Sequence, residues 1–185
     1  MNGKIRMTLF ALALLAGCGA APDRAPQAST PEKPAAPPAA APDAVEPGTE
    51  LAEADFEKTL KASGARFVLV QVFAEKCGPC MEEARKLTAM QPKLKSLDAV
   101  VIGVGVDEKP KNVKQFYEDT GRVVTYPLYC APWFAPKHEI EYTPTLFIYG
   151  ADGKRLFRLD PDALDGEQDP LEIVLEKLEE LRKGA

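Results

Sequence analysis

The sequence predicts an α/β domain, a three-layer sandwich in which a mixed central sheet carries helices on both faces. Three observations lead there. Short β-rich apolar runs alternate with segments of helical spacing, which favours a layered sheet. Two later apolar runs flank Gly150-Ala151-Asp152-Gly153-Lys154, a hairpin signal. The chain then closes on an amphipathic stretch with apolar residues at Leu171, Val174, Leu175, Leu178 and Leu181.

The first fifty of the 185 residues stand apart from that domain. Lys4 and Arg6 precede the apolar run Met7 to Ala16, and small residues follow, which is the layout of a secretory signal. The run is too short for a comfortable membrane span. Leu15-Ala16-Gly17-Cys18 resembles the bacterial lipobox. That resemblance implies a lipoprotein signal peptide over residues 1–17, acylation of Cys18, and a membrane-anchored lipoprotein facing the periplasm. Acyl chains anchor by about 0.8 kcal/mol per buried methylene, and two or more hold firmly. Residues 19–50 contain eight prolines and ten alanines and no periodic apolar face. Such a segment favours extended polyproline geometry, reaching up to about 100 Å. Residues 18–50 are therefore expected to be a lipidated cysteine followed by a disordered tether, with the folded domain over residues 51–185.

Within the domain each element has a local reason. Residues 52–63 carry Phe56 and Leu60 at helical spacing and stop at Gly64. Phe67-Val68-Leu69-Val70-Gln71-Val72-Phe73 is a short run suited to a buried strand. Met81 to Met90 favours a helix, and Pro92 kinks or restarts it. Val100 to Val106 reads as a second buried strand. Pro110 opens a helix through Val113, Phe116 and Tyr117 that ends at Gly121. Val123 to Tyr129 looks extended, and Cys130 to Tyr142 looks like loop with one helical turn. Thr145 to Tyr149 and Arg155 to Leu159 are the hairpin strands.

The chemistry-bearing motif is Cys77-Gly78-Pro79-Cys80, between the first strand and the following helix. Cysteines three apart at a helix start can close a small disulfide ring. The helix amino terminus offers unpaired amides and partial positive charge, which stabilise a Cys77 thiolate. Pro79 fits the first helical turn, where its missing amide costs nothing. A thiolate so placed attacks a foreign disulfide, and the neighbouring thiol resolves the mixed intermediate.

Phe73-Ala74-Glu75-Lys76-Cys77-Gly78-Pro79-Cys80 resembles the thioredoxin active-site stretch, and Tyr142-Thr143-Pro144-Thr145 resembles the loop bearing that family's cis-proline. The order and separation span most of residues 51–185. The resemblance implies a thioredoxin-like fold, a redox-active disulfide with no other cofactor, and substrate contact at Thr143 and Pro144. The signal peptide, the insertion from Pro110 to Tyr129, and Glu83 three beyond Cys80 resemble the extracytoplasmic TlpA/ResA branch, where such a glutamate tunes the cysteine pair. That branch implies partners among thiol- or disulfide-bearing extracytoplasmic proteins, such as cytochrome c precursors awaiting haem, and a membrane electron donor. Two positions depart from thioredoxins: Gln71 stands for a buried aspartate, and Lys76 for a tryptophan. Proton removal from Cys80 then needs another route, with Glu83 or water as candidates. Lys76 and the Gly78-Pro79 pair support the site, Lys76 by favouring a Cys77 thiolate electrostatically. The branch tends to have proline at Arg85.

Other readings remain open from sequence. A formal charge of −5 argues against nucleic acid, which wants a basic face. Cys77, Cys80, Cys130 and His138 add up to a Cys₃His set, but the seven residues between Cys130 and His138 suit zinc poorly. No metal is expected; a copper chaperone using Cys77, Cys80 and His138 is the alternative. A thiol peroxidase ranks last, since no Pro-x-x-x-Thr-x-x-Cys precedes Cys77. Cys130 reads as a buried small apolar residue and His138 as an exposed loop residue. Trp133, Phe134 and Tyr142 either line a groove beside Pro144 or pack into the core.

Overall fold

The computed structural model describes residues 45–107, 109–164 and 168–184. Its centre is strand β2 (Phe67–Phe73), buried along its whole length. A strand covered on both faces needs apolar side chains at every position, and only Gln71 breaks that run. On one side β2 pairs in parallel with β3 (Ala99–Gly105), and on the other it pairs antiparallel with β5 (Thr145–Gly150). β6 (Arg155–Leu159) completes the expected hairpin against β5. Beyond β3 lie β4 (Leu128–Cys130) and the two-residue β1 (Thr49–Glu50), both parallel to their neighbours. The sheet order is β1-β4-β3-β2-β5-β6, a mixed sheet as expected.

Side chains alternate across the sheet, so β2 feeds two cores. Phe67, Leu69 and Phe73 meet helices α2 (Gly78–Ala89), α3 (Gln91–Ser96), α4 (Pro110–Asp119) and α6 (Pro170–Lys183). Val68, Val70 and Val72 meet α1 (Glu53–Ala62) and the short α5 (Phe134–His138). Each fully buried Phe, Leu or Val contributes roughly 1.5–3 kcal/mol relative to exposure. Phe73 stacks on Phe116 of α4 with ring centroids 4.0 Å apart. Close approach at β3 requires glycine: a methyl on Gly103 would sit 2.4 Å from a Leu128 methyl, and one on Gly105 would sit 2.6 Å from Val113.

Three differences from the sequence reading have physical causes. Thr49 and Glu50, assigned to the tether, lie on the sheet edge, and Gly48 N donates to Leu128 O at 2.9 Å. A two-residue edge strand carries no apolar period to announce it. Of the stretch Val123 to Tyr129 only Leu128 and Tyr129 pair as strand, joined by Cys130 from the expected loop, because residues 123–127 cross from α4 to the sheet as irregular chain. His138 is half-buried on α5, its ring 4.2 Å from that of Phe134, rather than exposed in a loop. The expected signal peptide, Cys18 and the expected tether up to residue 44 lie outside the described residues.

Candidate active site

The carboxyl end of β2 delivers the chain to the amino end of α2, and Cys77 is the residue capping that helix. Cys80 N lies 3.2 Å from Cys77 Sγ, so a helix-terminal amide points at the sulfur. Gly78 and Pro79 form the first helical positions, where neither a missing side chain nor a missing amide is costly. Cys77 and Cys80 are joined as a disulfide with their Cα atoms 5.2 Å apart. The two sulfurs differ in access: Cys77 is half-buried, whereas Cys80 is fully enclosed.

The loop before β5 closes over this pair. The Thr143–Pro144 peptide bond is cis, as the resemblance implied, and the Thr143 carbonyl oxygen lies 3.6 Å from Cys77 Sγ. A cleft of about 550 Å³ runs past Cys77, lined by Lys76, Gly78, Pro79, Asp107 and Thr143. Lys76 is exposed on its rim. Asp107 accepts a 2.7 Å hydrogen bond from Glu75 N and so holds the segment leading into Cys77. Of the three aromatic candidates, Phe134 is fully buried, and Trp133 packs on Phe56 and donates to Leu51 O. Tyr142 alone is exposed, at 59 %.

Behind the disulfide, Glu83 sits on the same helix, 4 % exposed. Desolvation dominates its titration and pushes its carboxyl up to about 7, although a hydrogen bond from Gln71 acts in the opposite direction. Gln71 Nε2 donates to Glu83 Oε1 at 2.9 Å and to Cys80 O at 3.0 Å. Tyr126 Oη donates to Gln71 Oε1 at 2.7 Å. Asp107, Gln71 in this role, and Tyr126 were not anticipated. Gln71 left a signal, as the single polar residue in a buried strand; Tyr126 left none.

Cys130 and His138 do not join the pair. Cys130 is buried, its thiol directed at Asp107 O 3.5 Å away, and burial raises its titration point. His138 packs against Phe134 and Phe147, where burial lowers its basicity. Among the described residues no three His, Cys, Asp or Glu side chains gather as a metal site, so the Cys₃His set is not assembled.

Comparison with known proteins agrees with this geometry. Residues 35–130 match the redoxin family. A thioredoxin-like protein from Porphyromonas gingivalis superposes with a TM-score of 0.53 at 22 % identity, over 64 % of this chain and 76 % of that one. A putative thiol-disulfide oxidoreductase from Bacteroides vulgatus gives 0.51 at 21 % identity, over 68 % and 77 %. These show the shared thioredoxin-like fold. No curated protein sequence matches the chain. With half its length in the family match and its cysteine pair closed at the head of α2, the chain belongs to the redoxin family, as an oxidoreductase of thioredoxin-like fold.

Proposed function

We propose that the chain is a membrane-anchored thiol–disulfide oxidoreductase that reduces disulfides of extracytoplasmic proteins, among them cysteines awaiting haem attachment. One observation carries the reading: Cys77 is the accessible sulfur of the pair, at a helix amino terminus and in a cleft facing the Thr143 carbonyl. In the reduced enzyme the Cys77 thiolate is stabilised by the amide of Cys80 and the partial charge of the α2 terminus, together on the order of 1 kcal/mol. It attacks one sulfur of the substrate disulfide, and the other substrate sulfur leaves as a thiolate. Glu83 takes the proton of Cys80, whose thiolate attacks the Cys77 sulfur. The Cys77–Cys80 bond forms, the bond to substrate breaks, and the substrate departs with two electrons. A membrane electron donor then restores the dithiol. Thr143 and Pro144 line the surface where the substrate chain lies.

Anchoring rests on the Leu15-to-Cys18 motif, and the periplasmic location follows from it. Labelled palmitate is expected in the wild-type protein and not in Cys18→Ala. The activity is tested by insulin reduction with dithiothreitol. Cys77→Ser is expected to abolish it, and Cys80→Ser to accumulate mixed disulfides through Cys77. Full activity in Cys77→Ser would overturn the reading.

A further inference from the structure

Beneath the disulfide, three side chains from three separate segments form one buried chain of hydrogen bonds. Gln71 on β2 is fully buried, Tyr126 before β4 is 7 % exposed, and Glu83 on α2 is 4 % exposed. The direction of each bond is determined by its partners. The Cys80 carbonyl and the Glu83 carboxylate both accept, so the Gln71 amide must turn its NH₂ toward them. Its oxygen then faces Tyr126, whose hydroxyl must donate. Burial raises the Tyr126 phenol well above its ordinary titration range, so the donor proton stays in place. Glu83 Oε1 is thereby occupied, while Oε2 is buried with no hydrogen-bond partner among the described residues.

We propose that Tyr126 and Gln71 are positioning residues for the resolving step: the phenol locks the carboxamide, and the carboxamide holds the Glu83 carboxylate at the Cys80 turn with one oxygen left free. The assignment rests on the exchange chemistry above. In that step the free oxygen takes the Cys80 proton. The Cys80 electron pair forms the bond to Cys77 sulfur, and the substrate thiolate leaves with the electrons of the broken bond. The carboxyl also has room beside it for a proton acceptor. Glu83 borders a cavity of about 20 Å³ with Pro144, Leu159 and Asp160, room for about one water.

Without the phenol, the Gln71 oxygen is buried and unpaired, a state that proteins avoid. The amide is then held only by its own two donations, and its hold on the Glu83 carboxylate weakens, which favours the protonated carboxyl. Tyr126→Phe keeps the ring and removes only the hydroxyl, and Gln71→Met keeps the bulk and removes both donors. For each, the Glu83 carboxyl carbon observed by NMR is expected to titrate at higher pH than in the wild type. Mixed-disulfide resolution should fall roughly tenfold at pH 6.5 and recover at pH 8.5, one decade for each unit of displaced titration. A merely structural role would lower thermal stability and leave both pH midpoints where they were. Coincident wild-type and variant midpoints would overturn the proposal. A wild-type protein inert toward insulin ends the exchange reading instead, while the NMR midpoints still report on the hydrogen-bonded chain.

Discussion

The sulfur of Cys77 faces the carbonyl oxygen of Thr143 at 3.6 Å, across 66 positions of sequence. The contact joins two segments that the topology sends to one end of the sheet: the β2–α2 junction and the loop entering β5, which pairs with β2. Cys77 therefore has the open cleft on one side and the closed interior on the other. Cys80, one helical turn on, sees only the interior.

That asymmetry predicts an order of alkylation. The dithiothreitol-reduced protein treated with iodoacetamide at neutral pH should carry the label on Cys77 first. Cys80 and Cys130, 0 % and 2 % exposed, should react only after denaturant is added. Peptide mapping by mass spectrometry reads the order. Equal labelling of Cys80 and Cys77 in the folded protein would contradict the assignment of attacking and resolving sulfurs.

What could be read from sequence was whatever is written in contiguous residues. The β2 run, the Cys77-to-Cys80 motif at a helix start and the hairpin around Gly150 to Lys154 each carry their own local signal, and each stands where expected. Partnerships between distant segments were not legible. Tyr126 reaches Gln71 over 55 positions, and nothing in residues 123–127 marks a buried phenol. His138 looked like a loop residue because the five-residue α5 is too short to show a period; the face of Phe134 buries it.

The titration of Glu83 predicts how stability follows pH. Its carboxyl titrates near pH 7 when folded and near 4.5 when unfolded, so the folded state keeps a proton that the unfolded chain has lost. Stability is then fully present below about pH 4.5, falls as pH rises toward 7, and levels off above it. The difference is on the order of 3 kcal/mol. Glu83→Gln removes the charge from the interior and should flatten this fall, leaving the oxidised variant more stable than wild type at pH 8. Urea denaturation at pH 5, 6, 7 and 8 measures it. The same variant should resolve mixed disulfides slowly, so stability and turnover move in opposite directions.

Arg85 makes the stability of α2 depend on α4. Its Nη2 donates to Asp119 O at 2.9 Å and its Nε to Thr120 O at 3.3 Å, satisfying carbonyls at the end of α4. Proline at this position would offer neither donor. Arg85→Ala is expected to cost about 1 kcal/mol, a fall of roughly 3–4 °C in Tm for a domain of this size. Arg85→Lys should recover little, because a single ammonium lacks the planar fork. Calorimetry distinguishes the three proteins, and a lysine variant equal to wild type would show that charge alone suffices.

Arg158 on β6 stabilises the loop that faces Cys77 without touching the sulfur itself. Its Nη1 donates to His138 O at 2.7 Å and its Nη2 to Glu139 O at 3.1 Å, where Glu139 ends α5 in the left-handed region at φ +52°. The same guanidinium holds Asp160 through Nε at 2.6 Å and Nη2 at 2.8 Å. Thr145 Oγ1 donates to Tyr142 O at 2.8 Å, and the same hydroxyl lies 3.2 Å from Asp160 Oδ1. Residues 139–145 are thus fastened at both ends, and Thr143 and Pro144 lie between the fastenings. Arg158→Ala removes four hydrogen bonds and should destabilise the domain by about 2 kcal/mol, within the range for hydrogen bonds to a charged group. Its effect on turnover should depend on substrate size. A protein disulfide laid along Thr143 needs the loop in place, whereas a small disulfide needs only the Cys77 sulfur. KM for insulin is therefore expected to rise several-fold more than KM for a small aromatic disulfide, with kcat for the small substrate unchanged. Equal losses on both would mean that Arg158 acts on the cysteine pair rather than on the loop.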